Sequence, residues 1–172
     1  MAAGRSGWQA RVAVAVALAA GAAGALPPAV AGDLAGQAAP DFVLKATSGE
    51  NLRLSEFRGQ AVVLSFWADW CGTCRGHLDE LAGLVRAQAD RDVALLTVNI
   101  DSGASAAADV AARLGVTVLR DDAQAVARAY DLRDLPYTLI IDPDGRVRAS
   151  YPRARAAAPG ALAADLARVV AD

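Results

Sequence analysis

Reactive side chains are scarce in this chain of 172 residues. It holds two cysteines, one histidine and one methionine, and Lys45 is its single lysine. No cysteine precedes Cys71, which excludes a lipid-modified N-terminal cysteine, and there is no second Cys-x-x-Cys to complete a four-cysteine metal site. The formal net charge is −2, with no block of basic residues, so the electrostatic footprint of a nucleic-acid binder is missing. Arginine does nearly all the cationic work, which reads as compositional bias rather than function. Aromatic residues make up only 5% of a chain that is 55% hydrophobic, so its core is built mainly from alanine, valine and leucine. The composition is not that of a disordered chain. There is neither an internal repeat nor a low-complexity segment beyond the alanine bias.

Long apolar runs are also few. One stands out, VAVAVALAAGAAGAL, residues 12–26. Its 15 residues are short for a membrane span, which takes roughly 20. Arg5 and Arg11 precede it, and Pro27, Pro28 and Ala29-Val30-Ala31 follow. That order is the layout of a secretory signal peptide. Residues 1–31 are therefore expected to be a signal segment, cleaved after Ala31 or kept as a membrane anchor, and residues 32–172 one domain. Removing residues 1–31 leaves 15 basic and 19 acidic residues, a net charge of −4. Export would carry the domain into an oxidising compartment, where disulfides persist.

Patterning along that domain predicts an α/β fold. Asp41–Lys45 and Leu52–Leu54 read as a hairpin around the turn cluster Thr47–Asn51. Ala61–Trp67 (AVVLSFW) is a continuous apolar run, as expected of a strand covered on both faces. Leu78, Leu81, Leu84 and Val85 recur at helical spacing and predict a helix from Cys71 or Thr73 to about Ala89. Asp92–Ile100 is a second buried strand, Ala104–Leu114 a helix ended by Gly115, Val116–Leu119 a short strand and Ala123–Tyr130 a helix. Tyr137–Asp142 and Arg146–Tyr151 form a hairpin around Pro143-Asp144-Gly145, and a last helix starts at Pro159. The alternation implies a mixed central sheet flanked by helices on both faces.

Both cysteines and the histidine fall inside WADWCGTCRGHLDEL, residues 67–81. Cys71 follows a buried strand and opens a helix, where free N–H groups and the helix dipole stabilise a thiolate. Cys74 lies one turn on, within reach to resolve a mixed disulfide. A structural bridge is the weaker reading, since closing so small a ring constrains the unfolded chain by only about 2 kcal/mol. Metal is another: Cys71, Cys74 and His77 are three soft ligands that could hold copper or zinc, without an evident fourth. Haem attachment is excluded because Arg75, not histidine, follows Cys74.

Together these motifs resemble a known family. FWADWCGTC between strand and helix is similar to the thioredoxin-like active site. GQAAPDFVLKATSGENLRLSEFRGQAVVLSFW resembles the opening of TlpA/ResA-type periplasmic thiol–disulfide oxidoreductases, including their cytochrome c maturation members. LPYTLIIDPDGRV resembles the segment that carries their cis-proline. The resemblance spans roughly residues 36–170 and implies a thioredoxin-like fold with an N-terminal β-hairpin and an αβ insertion, Ala104–Leu119. It also implies roles: Cys71 attacks, Cys74 resolves, Trp70 shields the disulfide, Pro136 is the cis-proline, and Leu135 pairs main chain to main chain with an extended substrate. The redox-active disulfide would be the only cofactor. The implied partners are client proteins with cysteines or disulfides, apocytochrome c among them, and a membrane electron donor, in a periplasmic or membrane-tethered setting. The commonest role in the family is that of a reductant.

The sequence also departs from the family. His77 stands where many members have glutamate, Asp79 where they have proline, and Ser65 where thioredoxin has a buried aspartate. His77 could serve Cys74 as an acid or base, favour its thiolate when protonated, or be a solvated helix residue. Asp69 could raise the pKa of Cys71 or be a solvated loop charge. Two other functions stay open: a copper chaperone using Cys71, Cys74 and His77, and a peroxiredoxin-like thiol peroxidase. The APDF opening is shared with peroxiredoxins, but Asp69 and Trp70 stand before Cys71 in place of their framing threonine and proline.

Overall fold

The structure, a computed structural model, describes residues 34–103, 105–153 and 160–171. The proposed signal segment, residues 1–31, and the Pro159 helix start lie outside them. The elements in chain order are β1 (Val43–Ala46), β2 (Asn51–Arg53), β3 (Ala61–Trp67), α1 (Cys74–Arg86), β4 (Val93–Asn99), α2 (Ala107–Leu114), β5 (Thr117–Arg120), α3 (Ala125–Ala129), β6 (Tyr137–Ile141), β7 (Val147–Tyr151) and α4 (Ala161–Val169). Among the described residues the strands form one seven-stranded sheet in the order β2-β1-β5-β4-β3-β6-β7. The β3–β4 and β4–β5 pairs are parallel and the others antiparallel, the mixed sheet that the strand–helix alternation predicts.

The apolar run of β3 occupies the middle of this sheet, and all seven of its residues are buried. Its alternating side chains feed two cores. Val62, Leu64 and Phe66 face a larger cluster with Leu96, Val98, Val126, Tyr130 and Leu139. Ala61 and Val63 face the other side, with Leu81, Ile140, Tyr151 and Leu166 of α4. Helix α1 serves both, giving Cys74 and Leu78 to the first cluster and Leu81 and Ala82 to the second.

The inserted segment joins the N-terminal hairpin to the rest of the sheet. β5 lies between β4 and β1, with Lys45 opposite Arg120 and Ala46 opposite Leu119. The APDF opening is pinned by its own polar atoms. The Asp41 carboxylate accepts the Ser55 N–H at 2.9 Å and its hydroxyl at 3.0 Å, and the Tyr130 hydroxyl donates to the Pro40 carbonyl at 2.8 Å. At the far end, Gly145 turns the β6–β7 hairpin with φ +77°. A Cβ there would displace the Arg58 guanidinium, which can swing aside, so it is the left-handed backbone that favours glycine.

Three helices are shorter than the periodicity suggests. α1 starts at Cys74 and ends at Arg86. Residues 71–73 form a turn in which the Cys74 N–H donates to the Cys71 carbonyl at 3.2 Å. α2 starts at Ala107, after Ser105 and Ala106. α3 is held to five residues because Gln124, before it, adopts a left-handed φ of 53°. Among the described residues, no helix is long and apolar enough to cross a membrane.

Candidate active site

Cys71 and Cys74 are joined in a disulfide with a Cα–Cα separation of 5.4 Å. The strand β3 delivers the loop to the C-terminal edge of the parallel strands, and Ala68 holds its near end by accepting the Cys71 N–H at 3.1 Å. Cys71 lies three residues before the helix rather than in it, but its sulfur is bonded to that of the first helical residue. The two cysteines differ in exposure. Residue Cys74 is 0% exposed and residue Cys71 is 8% exposed. The Thr73 hydroxyl lies 3.8 Å from the Cys71 sulfur.

Around this turn the structure gathers most of the residues singled out from the sequence. Trp70 is 69% exposed beside Cys71, one of two exposed large hydrophobic residues among those described. The Leu135–Pro136 peptide bond is cis. Pro136 lines a groove of about 350 Å³ together with Gly72, Thr73, Gly76, His77, Glu80 and Arg153. Leu135 turns its side chain into the core, and among the described residues no hydrogen bond engages its main chain. Trp67 is core, fully buried, with its Nε1 lacking a partner.

His77 is not a solvated helix residue. It is buried, and its Nε2 lies 2.8 Å from Thr138 Oγ1. Burial holds its pKa below the ordinary value of 6.5, against an opposing pull from Glu80, so the ring is neutral at neutral pH and a protonated His77 is not the populated partner for a thiolate. The unfolded chain therefore takes up this proton before the folded one does. His77's contribution to stability is complete above about pH 6.5 and declines as pH falls below it. Urea midpoints should drop between about pH 7.5 and 5.5, and His77→Gln should flatten that drop. An equally steep fall in the variant would assign the effect to other groups.

Asp69 also has a structural task. Its carboxylate accepts the Ala106 N–H at 2.8 Å, capping the start of α2, while its own N–H donates to Asp101 at 2.8 Å. Asn99, fully buried, donates to the same Asp101 oxygen at 2.7 Å. Arg75 lies 3.6 Å from the Asp69 carboxylate. The disulfide loop is thus tied to the inserted helix by side chains that the motif alone does not single out.

The metal reading finds no matching arrangement. The two sulfurs are bonded to each other and His77 Nε2 is given to Thr138. Among the described residues, no three histidine, cysteine or acidic side chains are grouped to hold an ion.

A Cys-x-x-Cys disulfide between a central parallel strand and its helix, beside a cis-proline that opens an antiparallel strand, defines a thioredoxin-like protein. The chain belongs to the AhpC/TSA family, whose model matches residues 35–150, and to the thioredoxin-like ResA/DsbE-type oxidoreductases. It is 35% identical over 115 residues to the thiol-disulfide oxidoreductase ResA of Geobacillus kaustophilus, covering 66% of each chain. With ResA of Bacillus subtilis it shares 33% over 114 residues, 65% of this chain and 64% of that one. The chain thus spans 64% to 66% of the length of these curated relatives. A crystal structure of a thiol:disulfide interchange protein, DsbE, from Chlorobium tepidum superposes with a TM-score of 0.65 at 27% identity, over 79% of this chain and 97% of that one.

Proposed function

We propose that the protein is an extracytoplasmic thiol–disulfide oxidoreductase that reduces client proteins through Cys71 and Cys74. The observation that carries this reading is the asymmetry of the pair: Cys71 keeps 8% of its surface exposed at a turn whose next two residues line a groove, and Cys74 keeps none. In the reduced protein the Cys71 thiolate attacks a client disulfide. A Cys71–client bond forms and one client sulfur leaves as thiolate. Cys74 loses its proton and attacks the Cys71 sulfur, the mixed disulfide breaks, and the second client sulfur leaves. The client gains two electrons and the pair becomes the observed disulfide. The start of α1 adjoins the sulfurs, and its unpaired N–H groups favour the anion. Trp70 shields the disulfide, and Leu135 offers its free main chain to an extended client against Pro136. His77 serves the exchange from the groove side. The signal-like residues 1–31 support delivery across the membrane, apocytochrome c is the client class that the family suggests, and a membrane donor would return the electrons.

The reduction potential tests the direction. Protein equilibrated in defined thiol buffers, read by tryptophan fluorescence, should titrate as one two-electron couple near the thioredoxin value of about −270 mV. A value near about −120 mV, that of a strong oxidant, would reverse the assigned direction. Absence of a two-electron couple would end the redox reading.

A further inference from the structure

His77 is the only imidazole in the chain, and its environment restricts where its proton can sit. Ser65 and Thr138 are directly opposite each other in the β3–β6 register, and both are 0% exposed. Ser65 Oγ lies 2.9 Å from Thr138 Oγ1, which lies 2.8 Å from His77 Nε2. Among the described residues, no other hydrogen bond reaches either hydroxyl. The row therefore has two contacts, and each contact holds one hydrogen.

The two hydroxyls already supply two hydrogens. If the ring carried its hydrogen on Nε2, a third would enter the row and one buried O–H would lose its acceptor, a penalty that shifts the ratio of forms by roughly tenfold or more. The arrangement that satisfies every group runs one way: Ser65 donates to Thr138, Thr138 donates to Nε2, and the ring hydrogen is on Nδ1. An imidazolium fails the same count, which agrees with the depressed pKa that burial gives this ring. Nδ1 has no partner among the described residues. His77 lines the groove and keeps 8% of its surface exposed.

We propose that Thr138, itself held by Ser65, is a positioning residue that locks neutral His77 in its Nδ1–H form, so that the groove presents a fixed hydrogen-bond donor to a main-chain carbonyl of the client. The inference rests on the proposed exchange function for its ligand. The groove suits a peptide: Gly72 and Gly76 leave open space where side chains would stand, and Pro136 forms part of its wall. Its charged groups are Glu80 on α1 and Arg153 beyond β7. Glu80 cannot donate, and Arg153 and the rotatable hydroxyl of Thr73 are exposed, so the neutral ring N–H is the buried, fixed and uncharged side-chain donor on that wall. The acid/base role expected of His77 narrows accordingly, because its basic lone pair is committed to Thr138.

Long-range proton–nitrogen NMR of the resting, oxidised protein reads the tautomer directly, with one imidazole to assign and no client present. At about pH 7.5 the wild type should show a protonated Nδ1 and a bare Nε2. Thr138→Ser should keep that pattern, and so should Ser65→Ala, since one contact still holds one hydrogen. Thr138→Ala should lose it to a mixture, and KM for a disulfide-bonded peptide should rise about three- to tenfold and recover in Thr138→Ser. Protonated Nε2 in the wild type overturns the lock, whether or not any variant folds. An unchanged tautomer in Thr138→Ala overturns the role of Thr138. A lost tautomer with unchanged KM overturns the donor. A locked tautomer in a protein with no two-electron couple would instead refute the exchange function and leave the lock standing.

Discussion

Cys71→Ser should abolish exchange with a disulfide-bonded peptide, whereas Cys74→Ser should still attack and stop at a mixed disulfide. The difference follows from access and from order. Cys71 keeps 8% of its surface exposed, and Cys74 keeps none. A client sulfur must form a bond in line with the attacking thiolate, and the residue with no exposed surface, Cys74, is the poorer target for that approach. Once the Cys71–client bond exists, the next nucleophile has to come from the protein side, where Cys74 is one helical turn away. In Cys74→Ser that nucleophile is an alcohol, which does not displace a thiolate at useful rates, so the covalent complex accumulates. Non-reducing gels and intact mass spectrometry of each variant after incubation with a disulfide-bonded peptide make the comparison. Turnover should fall by at least about a thousandfold in both variants, with the adduct confined to Cys74→Ser. An adduct on Cys74 in Cys71→Ser would mean that the buried sulfur becomes accessible on reduction and that the assigned order is reversed.

Much of this site is legible in the sequence because its parts are contiguous. Strand β3, the Cys-x-x-Cys turn and α1 follow one another without interruption, and the apolar run before Cys71 has no reading other than a buried element. The hairpin around Pro143-Asp144-Gly145 is equally local, since its turn residues carry their own conformational preference. The hydroxyl row beneath His77 is another matter. Ser65 is 73 residues from Thr138 in the chain, and His77 is 61 from it. Their meeting depends on the β3–β6 register, which no local pattern specifies. Helical spacing places Leu78 and Leu81 on the inner face. His77, adjacent to Leu78, lies at the edge of that stripe, where polarity argues for solvent and position argues for the core. The structure resolves that conflict by supplying Thr138 as a partner. Asp69 is ambiguous for a similar reason: the N–H that it binds belongs to Ala106, the residue before α2, 37 residues away.

The shortness of α3 has the same kind of cause, and it leads to the largest stability effect expected from a single polar side chain here. Asp121→Ala should lower the unfolding free energy by about 2–5 kcal/mol. Asp121 is 2% exposed, yet its carboxylate has no basic partner in the hydrogen bonds it makes. One oxygen accepts the Ala125 N–H at 2.9 Å and the other accepts the Ala127 N–H at 2.8 Å. These are orphan donors at the start of α3, and the helix dipole adds to their hold on the charge. The Asp121 carbonyl also accepts the Gln124 N–H at 2.7 Å, so one residue fixes the whole passage from β5 into the helix. Alanine leaves both N–H groups without an acceptor, each costing about 1–3 kcal/mol where water is excluded. Asparagine keeps one acceptor but turns an amide N–H₂ toward the second donor, so Asp121→Asn should fall between the wild type and alanine. Against a total stability of about 5–15 kcal/mol for such a domain, urea unfolding followed by tryptophan fluorescence resolves the three proteins readily. The consequence reaches the active site through packing. α3 carries Val126 and Ala127, and Tyr130 just after it, into the core that also holds Phe66 and Leu135. A loosened α3 should therefore disturb the packing of Leu135, the residue proposed to pair with a client, and exchange should slow in parallel with the loss of stability. An Asp121→Ala protein as stable as the wild type would mean that water reaches those two N–H groups, and that the core rather than the carboxylate sets the start of α3.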